Sequence, residues 1–265
     1  MTSDFIGKLT ERYHAYVDTF RDTSGALPVL MQLKLDHTCR VVEDARRVMA
    51  GEGWGGDACL LGEACALLHD TARYSQCHVF GTFRDSDSFD HADRGVEIIR
   101  QERWLEGLAE EERRLILLAV GHHNKRDVPL SLMGLEADLV HLVRDADKLD
   151  IFRVLEVAVN DGSLARNPEI AWGLQMVGAP TPEVVEAVVK GQTVSYELVR
   201  AFSDFVLIQV GWLNGGLRFK TSMRLAAARD VLGFREALLK TFTDDHTGIV
   251  RCCEAARMFL SGALS

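Results

Sequence analysis

The stretch "LLHDTAR", residues 67–73, ends an apolar run (Ala64, Cys65, Ala66, Leu67, Leu68) directly in His69 and Asp70. A carboxylate buried at such a place is costly unless something pairs with it. Other ionisable residues stand on apolar helical stripes in the same way. His37 lies in line with Leu30, Leu33, Val41, Ala45 and Val48. His122 continues Leu115, Leu118 and Ala119, while His123 follows Ile116 and Ala119. Asp147 follows Val140 and Val143, whereas Asp145 falls with Asp138 and His141 on a flank. At helical spacing these stripes face the core. One inward histidine is ordinarily a hydrogen-bonded core residue. Several helices each turning a His or Asp inward would together bury several kcal/mol of unpaired polar groups. A divalent cation satisfies them jointly, because it takes neutral imidazole nitrogen and carboxylate oxygen as ligands. The residues therefore predict a metal facing His69 and Asp70, with His37 and Asp147 completing its shell.

The elements that must hold these residues are helices. Strand-like alternation is almost absent, and helical periodicity predicts helices over roughly 3–20, 28–50, 57–70, 91–106, 109–123, 134–159, 181–190, 194–213, 222–240 and 246–261. The glycine-rich "GEGWGGD" at 51–57 is a turn with Asp57 as N-cap. Residues 75–90 read as the longest loop of the first half, with Asp90 capping the next helix, and 160–182 as the main irregular stretch of the second half. The expected organisation is an N-terminal helix (1–27), an all-α metal-binding core (28–160) and a helical C-terminal extension (161–265) packed on that core.

Composition narrows the function classes. A chain of 265 residues with 47% apolar and 26% charged residues is that of a globular protein. Its net charge of −9 argues against a general nucleic-acid or membrane-surface binder, which carries a basic face. No apolar run is long enough to span a bilayer and "MTSDFIGKLTER" has no signal-peptide core, so the chain reads as cytoplasmic. Cys39, Cys59, Cys65, Cys77, Cys252 and Cys253 form no CxxC pair, the pattern of a reduced protein. Walker, GxSxG and GxGxxG motifs are absent, which leaves nucleotide-motor and serine-hydrolase readings without support.

In order along the chain, "HTCRV" (His37), "HD" (His69, Asp70) and "ADKL" (Asp147) resemble the HD-domain superfamily of metal-dependent phosphohydrolases, over residues 30 to 155. Two further motifs, "FDHADRGVEII" with His91 and "LAVGHHNK" with His122 and His123, resemble the two-metal subset, as in the HD-GYP cyclic-dinucleotide phosphodiesterases. The resemblance implies that His37, His69, Asp70 and Asp147 bind a first metal, with Asp70 bridging, and that His91, His122 and His123 serve a second. "HHNKRDVP" lacks the HHE…DG.GYP pattern, so cyclic dinucleotides are not implied, and Arg73 stands where HD-GYP enzymes often carry Lys.

The implied activity is hydrolysis of a phosphomonoester or phosphodiester of a nucleotide or other small phosphorylated metabolite by metal-activated hydroxide, with Asp70 orienting it. Arg73, one turn beyond the metal motif, leads the candidate phosphate contacts, together with Arg40, Lys125, Arg126 and Lys148. The ligand types suit Mn, Fe, Ni, Co, Mg or Zn, as one ion or two. The same ligand order is similar to HD-fold di-iron oxygenases resembling inositol oxygenase, and a non-catalytic metal- or ligand-binding regulatory domain is a third reading. "DSDSFD" at 85–90 lacks the glycine and terminal Glu of a calcium loop and reads as an acidic loop near the site mouth. His14, His141 and His246 read as surface or flank residues. The apolar segment around Phe202, Phe205, Trp212 and Phe219 is expected to pack internally, with a pocket roof or a homodimer face as its other uses.

Overall fold

A computed structural model describes residues 1–265. It is all helical, with no strand. No helix is long and apolar enough to cross a membrane. The chain forms two compact units, Met1–Asp150 and Ile151–Ser265.

The first unit contains α1 (Ser3–Asp18), α2 (Val29–Gly51), α3 (Asp57–Leu68), α4 (Arg73–Phe80), α5 (His91–Gln101), α6 (Glu110–His122) and most of α7 (Leu135–Asn160). Helix α3 is apolar on nearly every side, with Leu61, Ala64, Cys65, Ala66, Leu67 and Leu68 all buried, and it is the centre of the unit. It packs against α1, α2 and α6. Its approach to α2 and α7 depends on Gly62: a Cβ there would lie 2.5 Å from the Met49 sulfur and 2.6 Å from Leu142 Cδ2. Gly62→Val is expected to destabilise the protein by about 1–3 kcal/mol through overpacking, measured as a lower midpoint in denaturant unfolding.

Helix α1 belongs to this unit. Its Tyr13 is 1% exposed, and the hydroxyl lies 2.8 Å from that of Tyr74 and 3.2 Å from Thr38 Oγ1. The unit boundary falls after Asp150, inside α7, where the sequence suggested 160. Residues 75–90, expected as one long loop, begin instead with the end of α4. That helix is closed by Gly81 in the left-handed conformation (φ 67°), which favours glycine.

The second unit is built around α10 (Phe202–Gly211), with α11 (Lys220–Ala228), α12 (Val231–Leu239) and α13 (Thr247–Leu264) after it and two shorter helices, α8 (Ser163–Arg166) and α9 (Pro182–Val189), before it. The helix expected over 194–213 starts only at Phe202. Asp204 explains the late start: its carboxylate accepts the backbone N–H groups of Thr181, Arg200 and Ala201 and thereby fixes the helix entry. Phe202 and Phe205 are buried. The helix expected over 222–240 is two helices, broken at Asp230 with φ 50°. Arg235 is fully buried there, its guanidinium donating to Gln209, Glu156 and the carbonyls of Phe152 and Val231. All six cysteines are free.

Candidate metal centre

The α3 helix stops at Leu68, and the chain makes a turn through His69–Ala72 before α4. Thr71 ties the turn back, donating from its backbone N–H and its hydroxyl to the Leu68 carbonyl. On a continuous helix His69 and Asp70 would diverge by about 100°. Here both are buried, at 0% and 3% exposure, between flanking helices that bring partners to each.

Helix α2 brings His37. Its Nε2 lies 3.4 Å from His69 Nε2, 3.6 Å from Asp70 Oδ2 and 3.1 Å from Asp147 Oδ1. Asp147 comes from α7, which is also pinned to the end of α6: Arg144 Nη1, one turn earlier, donates to the carbonyls of His122, His123 and Lys125. The first residue of α5 is His91, and His123 caps the end of α6. The Nε2 atoms of His91 and His123 face each other at 3.0 Å, and they lie 3.5 and 3.7 Å from Asp70 Oδ1. Asp70 thus turns one oxygen to each set of imidazoles. His37, His69 and Asp70 form one group of potential ligands and Asp70, His91 and His123 another, each with its donor atoms within 4.8 Å of one another.

The second nitrogen of every imidazole is held. Nδ1 of His37 lies 2.7 Å from Asp150, that of His69 2.7 Å from the Ala66 carbonyl, that of His91 2.6 Å from Asp85 and that of His123 2.7 Å from the Val120 carbonyl. A carbonyl oxygen only accepts, so Nδ1 of His69 and His123 carries the hydrogen and Nε2 presents a lone pair. Lone pairs converging at such distances repel unless a cation lies between them. Metal-bound histidines are oriented by this same kind of partner, a carboxylate or carbonyl on the other nitrogen. The donor set therefore fits a divalent cation that accepts nitrogen and oxygen ligands.

The electrostatics agree with that chemistry. Burial would raise the Asp70 pKa, but Lys34, His69, Arg73 and His123 outweigh it and hold the carboxyl well below its usual range. Burial opposes ionisation of Asp147 too, and its hydrogen bond and attraction to His37, with His69 nearby, overcome that and lower it. For His91, burial and Arg73 push the pKa down to about 4 against the pull of Asp85, so the ring is neutral at pH 7 and able to ligate. His37 goes the other way: burial and Lys34 pull it down, but hydrogen bonds to Asp147 and Asp150 leave it raised.

The other expected residues are placed less centrally. His122 belongs to neither group, and its Nδ1 faces the Leu118 carbonyl at 3.0 Å. Arg73 Nη1 donates to Gln76 Oε1, the Phe83 carbonyl and Asp85, and its Nε lies 3.3 Å from Asp70 Oδ1. Arg40 grips Asp150 with two nitrogens, at 2.6 and 3.0 Å. Lys125 lies between Asp90 and Asp93, at 2.6 and 2.8 Å, and Arg126 is 3.9 Å from Asp127. Lys148 is half-buried beside Asp147, and burial pushes its ammonium down to about 8.

Four residues at the site were not among those expected. Lys34 and Arg144 flank ligands at helical spacing on their own helices. Asp150 stands three residues after Asp147, the signal that would have found it. Asp85 is in the acidic loop and is the partner of His91. Asp150→Asn removes the carboxylate that orients His37 and is expected to weaken binding of the first cation by about 10–100-fold, as read by calorimetric titration of Mn2+.

Residues 35–151 match the family model described as HD domain. No curated protein and no solved structure matches the chain.

Proposed function

We propose that the segment matching the HD domain model, residues 35–151, is a metal-dependent phosphohydrolase that uses two divalent cations to cleave a phosphomonoester or phosphodiester of a nucleotide or other small phosphorylated metabolite. The observation that carries this reading is the divided carboxylate of Asp70, with Oδ2 toward His37 and His69 and Oδ1 toward His91 and His123.

In this reading His37, His69, Asp147 and Asp70 would hold one cation, and His91, His123 and Asp70 would hold the other. Cations bound there supply Lewis acidity for charge developing on phosphoryl oxygens and lower the pKa of a bound water. The chain's own contribution is rigidity. Asp150, Asp85 and the Ala66 and Val120 carbonyls fix the four rings, so the ligands need no rearrangement. Asp147 has 21% of its side chain exposed and marks the open side of the cluster. Two dications set against the carboxylates of Asp70 and Asp147 leave the centre positive. That favours an anionic substrate on a chain whose overall charge is −9.

The test is phosphate release from a panel of phosphomonoesters and phosphodiesters, after chelation and restoration of Mn, Fe, Ni, Co, Mg or Zn singly, with dioxygen uptake measured in parallel. Metal-dependent phosphate release is the expected result. Dioxygen uptake without phosphate release replaces the hydrolase by the di-iron oxygenase, and tight metal binding with neither activity replaces it by a regulatory domain.

A further inference from the structure

The cations expected to contact phosphate are largely committed elsewhere. Arg73 is spread over Gln76, Phe83 and Asp85 besides Asp70 Oδ1, Arg40 is locked on Asp150, and Lys125 sits between two aspartates. Lys34 is different. It lies one turn before His37 on α2 and its ion pair is with Asp70, Nζ to Oδ2 at 2.7 Å. Oδ2 is the oxygen turned toward His37 and His69. The Lys34 side chain is 16% exposed, largely packed but open to solvent in part. Its Nζ also stands 5.3 Å from the centre of the Phe83 ring, which gives the ammonium a second favourable surface.

An ammonium and a divalent cation that draw on one carboxylate oxygen repel each other, and the doubly charged ion attracts the carboxylate more strongly. We propose that Lys34 is the substrate-anion contact of this site: it neutralises Asp70 until a cation takes Oδ2, then swings from Asp70 to bind a non-bridging phosphoryl oxygen. This rests on the metal-dependent phosphohydrolase reading. The lysine stem allows the movement, because four rotatable carbons carry a compact charge, whereas the Arg73 fork is fixed by three acceptors. Phosphate binding and cation binding at the site are thereby linked through one side chain.

The experiment titrates Mn2+ into chelator-treated wild type, Lys34→Gln and Lys34→Arg by calorimetry, then inorganic phosphate into each Mn2+-loaded protein. Lys34→Gln is expected to bind Mn2+ about tenfold more tightly and phosphate about tenfold or more weakly, the range for losing one charged hydrogen bond. Lys34→Arg is expected to restore phosphate affinity to within about threefold. A second measurement needs no variant: reductive methylation of wild-type Lys34, read by mass spectrometry, should accelerate on Mn2+ loading and slow again with phosphate. Unchanged phosphate affinity in Lys34→Gln, or a methylation rate indifferent to Mn2+, overturns the proposal while leaving the metal site standing. A wild type that takes up no Mn2+ overturns the metal-dependent reading and this inference with it.

Discussion

Asp70→Asn is expected to abolish turnover, by on the order of 10³-fold or more, the scale of losing a principal charge-stabilising group, and to reduce bound metal at both positions. The loss is double because a single carboxylate serves two groups of imidazoles, at 3.5–3.6 Å through Oδ2 and 3.5–3.7 Å through Oδ1. An asparagine keeps the shape but has one oxygen in place of two. Its NH2 would face one pair of lone-pair nitrogens as a donor, and it has no charge to offer a cation. Lys34 and Arg73 would also lose the anion that they share. The check is phosphate release with metal content per chain, alongside circular dichroism to confirm the fold. Activity within tenfold of wild type would contradict the assignment.

The adjacent histidines give the second large effect. His123→Ala is expected to lower activity by about 10²–10³-fold, in line with removing a group that fixes transition-state charge. His122→Ala should stay within about threefold. His123 is 5% exposed, with Nε2 facing His91 and Asp70. His122 is half-buried, turned to the Leu118 carbonyl and outside both ligand groups. Steady-state rates at saturating Mn2+ decide between them. Equal losses would mean that His122 and His123 contribute alike to the site, against their different orientations at the end of α6.

This pair also marks where sequence reading reached its limit. Both histidines extend apolar stripes of α6, and periodicity cannot rank them because the helix ends between them: His122 is its last residue and His123 its cap. His37 and Asp147 were legible because each lies well inside a long helix whose stripe has one clear direction. His69 and Asp70 were legible as an expensive interruption of an apolar run. Lys34 and Asp85 were not, since each is defined by what it touches across the fold and neither breaks a local pattern, while Asp150 offered only its three-residue spacing from Asp147. Helix α4 was hidden because "RYSQCHVF" mixes polar and apolar residues without a strong stripe. The unit boundary was hidden for the opposite reason: α7 runs unbroken from Leu135 to Asn160 with no composition change at Asp150.

The claim that Asp70 joins two cations is tested most directly by electron paramagnetic resonance of the wild-type protein titrated with Mn2+. Two equivalents per chain with an exchange-coupled signal, lost in Asp70→Asn, is the predicted result. A single equivalent, or two that give only isolated mononuclear signals, would contradict it.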